Sequence, residues 1–191
     1  MPRVVVLAGI NGAGKTTASR DLLVNVLKIP VFTNADAIAR GLNSLNPESE
    51  AFRAGRVMLD WLHDLAKGRR DFAFETTLSA RSYAGWLGEL RQSGYEVYLH
   101  YYWLDSAELA VSRVAERVRA GGHHIPDEDV RRRYGRSVKN FLELYRGVAD
   151  EWEVYDNSVG NRFLIGIGSR GQELHESDAI WESFTRSADH A

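Results

Sequence analysis

Gly9-Ile10-Asn11-Gly12-Ala13-Gly14-Lys15-Thr16 is the stretch on which the reading of this chain turns. It fits G-x-x-x-x-G-K-[ST], the pattern of a phosphate-binding P-loop. Residues 3–8 before it form a short apolar run, as a buried strand does, and a helical pattern follows. Glycines let main-chain N–H groups curl around phosphate oxygens, and a helix N-terminus adds partial positive charge. Lys15 then reaches the β- and γ-phosphates, and the Thr16 hydroxyl is placed to ligate Mg²⁺. The nucleotide-binding set is therefore Gly9, Asn11, Gly12, Ala13, Gly14, Lys15, Thr16 and Thr17, holding ATP or GTP with Mg²⁺.

Outward from the loop, short apolar runs alternate with longer helical patterns. Residues 30–34, 71–75, 95–104 and 151–156 read as further strands, the last weaker. Residues 51–65 and 107–118 carry apolar positions at helical spacing, and Val130, Tyr134, Val138, Phe141, Tyr145 and Val148 mark one face of another helix. Strands alternating with helices imply an α/β fold of three layers, a mainly parallel sheet covered on both faces. The length, 191 residues, fits one domain. Towards the end the pattern degrades: residues 163–167 read as a sixth strand and 173–191 as an amphipathic helix or loose tail, leaving 160–191 the least informative part.

Composition narrows the class. A hydrophobic share of 44%, a charged share of 26% and a net charge of -2 fit a globular protein without the broad positive field that nucleic-acid binding needs. With no cysteine, disulfides and Cys-based zinc sites are excluded. No apolar stretch approaches the roughly 20 residues of a membrane span. The apolar run after Arg3 is too short for a signal peptide and opens into the glycine-rich loop, which points to a cytoplasmic protein. An Asn-Lys-x-Asp motif for reading guanine and the Leu-Ser-Gly-Gly-Gln signature of transporter ATPases are both missing. The size and layout that remain are those of small-molecule and nucleotide kinases.

In open α/β sheets ligands bind beyond the carboxyl ends of the strands, so acids there are placed for chemistry. Asp36 follows the second strand and Glu75 ends the third, which reads like a Walker B strand with glutamate for aspartate. A hydroxyl acceptor loses its proton as it attacks phosphorus, so a carboxylate near the γ-phosphate serves as base. The other acid holds Mg²⁺ through water or grips the substrate. For Asp36 the plainer reading is an N-cap of a helix starting at residue 37. Glu75 is costly on an apolar strand unless it meets a metal or donors. Thr76 and Thr77 read either as simple β-formers or as residues whose hydroxyls would face the same cleft.

Between Arg113 and Arg136 there are seven arginines and no lysine. Arg113 and Arg117 lie one turn apart on one helix. After Gly121-Gly122-His123-His124-Ile125-Pro126, the next helix carries Arg133, Arg136 and Asn140 along one edge. Two helices hinged by glycine and proline form a lid, about 117–136, whose arginines neutralise charge on the transferred phosphoryl group. The plainer reading is a salt-bridged helix pair, given Glu116, Asp127, Glu128 and Asp129 nearby. Arg117 and Arg133 are the ones assigned to nucleotide. Adjacent His123 and His124 without a third ligand argue against zinc, and for a lid contact to phosphate or substrate.

Taken in order, these motifs resemble the zeta-toxin family of P-loop kinases, in its short single-domain bacterial members. The resemblance rests on residues 9–17, Asn34-Ala35-Asp36, Asn46-Pro47, Phe74-Glu75-Thr76-Thr77-Leu78, Gly121-Gly122-His123 and Arg131-Arg132-Arg133-Tyr134, and spans residues 3–158. It implies a kinase-type core of strand order 2-3-1-4-5 and ATP/Mg²⁺-dependent phosphorylation of UDP-N-acetylglucosamine, with toxicity through blocked cell-wall synthesis. An antitoxin protein is the partner such a family brings into view. By motif, Asp36 would take the acceptor proton; Lys15, Thr16 and Arg117 would handle phosphates and metal; Glu75 and Thr77 would contact the substrate. Longer members place another arginine beyond the lid's first turn. The short segment 121–126 leaves His124 or an arginine of 131–133 to substitute. The other readings are a kinase of another metabolite, nucleoside or antibiotic, and a module that binds ATP without transferring it.

Overall fold

The computed structural model describes residues 1–122, 124–169 and 171–190. Its centre is β1 (Arg3–Gly9), whose Val4, Val5, Val6, Leu7 and Ala8 are all buried. A strand apolar on both faces must be covered on both, which makes β1 the middle of the sheet. It pairs in parallel with β3 (Phe72–Thr76) on one side and β4 (Glu96–Trp103) on the other, Leu7 lying between Glu75 and His100. The short β2 (Phe32–Thr33) flanks β3, and β5 (Glu151–Asp156) runs parallel to β4. The order β2-β3-β1-β4-β5 is the expected kinase-type core.

The alternation along β1 sorts the two covering layers. Val5 and Leu7 face α1 (Lys15–Arg20, continued by a π-helical stretch Asp21–Val26), α5 (Ala107–Arg119) and the first half of α6 (Asp127–Asn140). Val4, Val6 and Ala8 face α3 (Ala51–Lys67), α4 (Ser82–Gln92) and the far end of α6 with the π-helical stretch Phe141–Tyr145 that follows it. Between β2 and α3 lie α2 (Ala35–Leu42) and a 3-10 turn, Pro47–Glu50. The one-turn helix α7 (Arg146–Val148) leads into β5. At its carboxyl end β1 comes so close to β4 that a Cβ on Gly9 would lie 2.1 Å from the Tyr102 carbonyl oxygen, and the residue has φ 134°. Only glycine fits there.

The carboxyl-terminal segment differs from expectation. Beyond β5 the sheet continues with two antiparallel strands, β6 (Phe163–Ser169) and β7 (Gln172–His175), and α8 (Asp178–Arg186) begins only after them. Residues 173–175 are thus strand, not helix or tail. The reason lies in the inward positions of β6, two of which are Gly166 and Gly168 beneath the rings of Trp181 and Trp152. The apolar bulk comes from the neighbours, so β6 shows little period-two signal of its own. Among the described residues no helix is long and apolar enough to cross a membrane.

A Cβ on Gly168 would fall 2.3 Å from the Trp152 ring, which is itself stacked on Trp181 at 5.7 Å. Gly168→Ala is therefore expected to lower stability by about 1–3 kcal/mol through overpacking, read by urea unfolding; an unchanged midpoint would contradict this packing.

Candidate active site at the carboxyl ends of the strands

The parallel register brings the ends of β1 and β3 together, and Glu75 meets the phosphate loop there. One Glu75 oxygen, Oε2, accepts from the Thr16 hydroxyl at 2.8 Å and from Asn34 Nδ2 at 2.7 Å. The other, Oε1, lies 3.6 Å from Lys15 Nζ. Lys15 is only 5% exposed and donates to the Ile10 carbonyl at 3.0 Å. Burial draws its pKa below the ordinary lysine value; the Glu75 and Asp36 carboxylates pull it back up, and the Arg117 guanidinium pushes it down. A buried cation so placed is ready to trade its carbonyl contact for phosphate oxygens.

Asp36 does not cap its helix. Helix α2 starts at Ala35, and Asn34 is the N-cap, its Oδ1 accepting from the N–H groups of Asp36 at 2.8 Å and Ala37 at 3.2 Å. Asparagine in an extended conformation satisfies those orphan donors as well as aspartate would. Among the described residues the Asp36 carboxylate accepts no hydrogen bond, and it stands within electrostatic reach of Lys15. Asn34 thus does two jobs, capping α2 and holding Glu75, and only its place between a strand and a helical pattern hinted at the first.

A cavity of about 490 Å³ opens over these groups. Its wall brings together Asn11, Lys15, Asp36, Glu75, Thr77, His124 and Arg133 of the expected residues. Gly9, Gly12, Ala13 and Gly14 form the loop, with Gly12 and Gly14 at positive φ, and Thr16 reaches in through Glu75. Thr17 is exposed and does not line the cavity, nor does Arg117, which is half-buried near the end of α5. Arg133 Nη1 donates to Asn11 Oδ1 at 3.4 Å, and its Nη2 lies 3.9 Å from Asp129 Oδ2. Arg131 and Arg132 form surface ion pairs with Glu108 and Asp129, and Arg113 donates to the Ser158 carbonyl at 2.9 Å. Exposed pairs of that kind contribute little. His123, the other half of the histidine pair, lies outside the described residues.

Asn140 lies two turns beyond Arg133 along α6, past the lid segment, and does not line the cavity. It is buried and donates to the Leu78 carbonyl at 2.7 Å. Residues 133, 137 and 140 share a face of α6 at helical spacing, and that face runs from the cleft to the loop after β3. Ser137, fully buried, donates to the Thr77 carbonyl and shares a 2.7 Å contact with the Tyr101 hydroxyl. Tyr145 donates to the Ala80 carbonyl at 2.6 Å. These bonds hold a loop in which Leu78 has φ 55°, a strained backbone for a leucine. The cavity-lining Thr76, Thr77, Ser79 and Tyr83 all belong to or border that loop. Sequence reading missed this support because polar residues inside a helix look solvent-facing until something polar is packed against them.

A family model described as an AAA domain matches residues 4–139. An uncharacterised protein of Haemophilus influenzae is 30% identical over 132 residues, covering 69% of this chain and 92% of that protein. Among solved structures, a chain of the AvrRxo1-ORF1:-ORF2 complex with ATP is similar over 97% of this chain, with TM-score 0.77 and 14% identity. This chain spans 64% of the length of that one. A chain of the PezAT chromosomal toxin–antitoxin system of Streptococcus pneumoniae is similar over 100% of this chain and 86% of its own length, with TM-score 0.64 and 15% identity. At such identities the likeness is one of fold, a P-loop kinase-like α/β architecture.

Removing the amide of Asn140 leaves the buried Leu78 carbonyl unpaired. Asn140→Ala is expected to cost about 1–3 kcal/mol of stability, measured by urea unfolding; a cost near zero would mean that the carbonyl finds another donor.

Proposed function

The chain belongs to the AAA domain family, and on that footing we propose that it is a kinase transferring the γ-phosphoryl group of ATP to a hydroxyl of a small-molecule acceptor. The observation that carries the reading is Asp36. It is a carboxylate committed to no hydrogen bond among the described residues, on the wall of the same cavity as the P-loop lysine. A site that only held nucleotide has no use for a second, uncommitted acid there.

The roles follow from position. Main-chain amides of residues 12–16 cup the triphosphate, and Lys15 draws charge from its β- and γ-oxygens. The acceptor hydroxyl attacks the γ-phosphorus while the bond to the β–γ bridging oxygen breaks. The acceptor proton passes to Asp36, and ADP leaves with its bridging oxygen as part of the β-phosphate. Arg133, already at Asn11, neutralises charge at the mouth of the loop, and Arg117 adds positive field near Lys15. Thr77 and His124, which line the cavity together with Glu75, contact the acceptor.

The Thr16 hydroxyl and the Glu75 carboxylate are hard oxygen donors 2.8 Å apart, which suits a magnesium ion. Thr16 would hold it directly and Glu75 through water, and when bound it would neutralise charge on the triphosphate. For the acceptor, the resemblance to zeta toxins favours UDP-N-acetylglucosamine; an antitoxin protein as partner is in keeping with the toxin–antitoxin system to which a chain of similar fold belongs. A different metabolite, nucleoside or antibiotic would use Asp36 and Glu75 equally well.

The test is phosphate transfer from ATP with Mg²⁺ across a metabolite panel that includes UDP-sugars, read by mass spectrometry of the product. ADP formation without any phosphorylated acceptor would leave only an ATPase. For the base, Asp36→Asn is expected to lower transfer by about 10²- to 10⁴-fold while ATP affinity stays within about threefold. Unchanged turnover in that variant would remove Asp36 from the reaction.

A further inference from the structure

The turn after β5 carries a side chain that the proposed reaction does not use. Asn157 donates from Nδ2 to the carbonyl of Ala13, inside the phosphate loop, at 2.9 Å. The contact joins residues 144 positions apart, so it exists only in the folded chain. The amide is delivered by a fixed platform. The Asn157 N–H donates to the Trp103 carbonyl at 3.0 Å, at the end of β4. Its neighbour Ser158 accepts from the Asp105 N–H at its hydroxyl and from Arg113 at its carbonyl, each at 2.9 Å. Both β4 and α5 therefore hold the turn in place.

The consequence follows from peptide geometry. The peptide between Ala13 and Gly14 is trans, so its carbonyl and its N–H point in opposite directions. Holding the carbonyl at Asn157 turns the Gly14 N–H to the other side of the loop. Gly14 has φ 82° and could adopt the opposite sign at little cost, so a flip of this peptide is accessible to the backbone. A flipped peptide would aim a carbonyl oxygen at the phosphates. Gly14 also leaves the room the contact needs: a Cβ there would lie 2.6 Å from Asn157 Nδ2.

We propose that Asn157 is a positioning residue that locks the 13–14 peptide with its N–H facing the triphosphate. The proposal rests on the nucleotide-binding reading above and adds to it a residue from the far end of the chain. Asn157 acts through the loop and not on the nucleobase, so it serves every ligand that fills the phosphate subsites.

The experiment measures Kd for ATP and for inorganic tripolyphosphate, both with Mg²⁺, in the unmutated protein and in the variants Asn157→Ala, Asn157→Asp and Ser158→Ala. The aspartate is nearly isosteric but cannot donate, so it tests the bond without emptying the space. Both Asn157 variants are expected to bind ATP about five- to tenfold more weakly, and tripolyphosphate by the same factor. Ser158→Ala, which removes the hydroxyl that accepts from the Asp105 N–H and so loosens the turn bearing Asn157, is expected to weaken both ligands in the same direction by a smaller factor, about two- to threefold. Unchanged affinity in both Asn157 variants would overturn the proposal. So would weaker ATP binding with tripolyphosphate unaffected, since that would put Asn157 on the nucleobase. Ligand-free unfolding midpoints accompany each titration; if both variants are unfolded at the assay temperature, the side chain holds the fold and the proposal falls. Failure of the unmutated protein to bind either ligand would instead remove the P-loop reading, and this proposal with it.

Discussion

The carboxylate of Glu75 ties three parts of the chain together. Through Thr16 and Lys15 it holds the phosphate loop, and through Asn34 it holds the start of α2, which carries Asp36. Lys15 and Glu75 are both largely withdrawn from water, with side chains 5% and 13% exposed. A buried charge is tolerable only when paired and hydrogen-bonded, and removing one partner of such a pair costs about 3–5 kcal/mol. The parallel register of β1 and β3 makes the meeting possible, since it sets Leu7 beside Glu75 two residues before Gly9, where the phosphate loop opens. The same pairing that stabilises the sheet thus fixes the distance between the lysine and the acids.

Helix α6 gives the other half of the site its shape. Its first turns reach the cleft with Asp129 and Arg133, while Ser137 and Asn140 fasten the carbonyls of Thr77 and Leu78. The loop after β3 cannot hold its own backbone groups by strand pairing, because the sheet has ended there. Unpaired buried carbonyls are costly, and side-chain donors from a neighbouring helix are the available remedy. The wall carrying Thr77, Ser79 and Tyr83 is therefore built from two distant segments, and a change in the attitude of α6 is felt on both sides of the cavity.

The carboxyl-terminal hairpin extends the sheet past the kinase-type core. Trp152, Trp181 and Phe184 pack over β5 and β6, with Gly166 and Gly168 making room for the indoles. The hairpin begins from the turn that bears Asn157, so the aromatic packing and the phosphate loop share one mechanical support.

From the sequence alone the phosphate loop, the α/β alternation and both acids were legible, since each depends on local pattern: glycine spacing, apolar period, a carboxylate at a strand end. The strand order 2-3-1-4-5 came with the resemblance, and the sheet has it. What local pattern could not decide was pairing. Asn34 as the cap in place of Asp36, Asn140 turned to the Leu78 carbonyl, and Asn157 at Ala13 are all polar side chains whose partners lie elsewhere in the chain or just across a helix boundary. A polar residue has no preferred partner until folding removes water from around it. Likewise β6 was only half visible because glycines hold its inward positions, and β7 not at all because Gln172-Glu173-Leu174-His175 is polar and mostly exposed. Tertiary packing supplies the apolar surface and the unpaired carbonyls to which these segments answer.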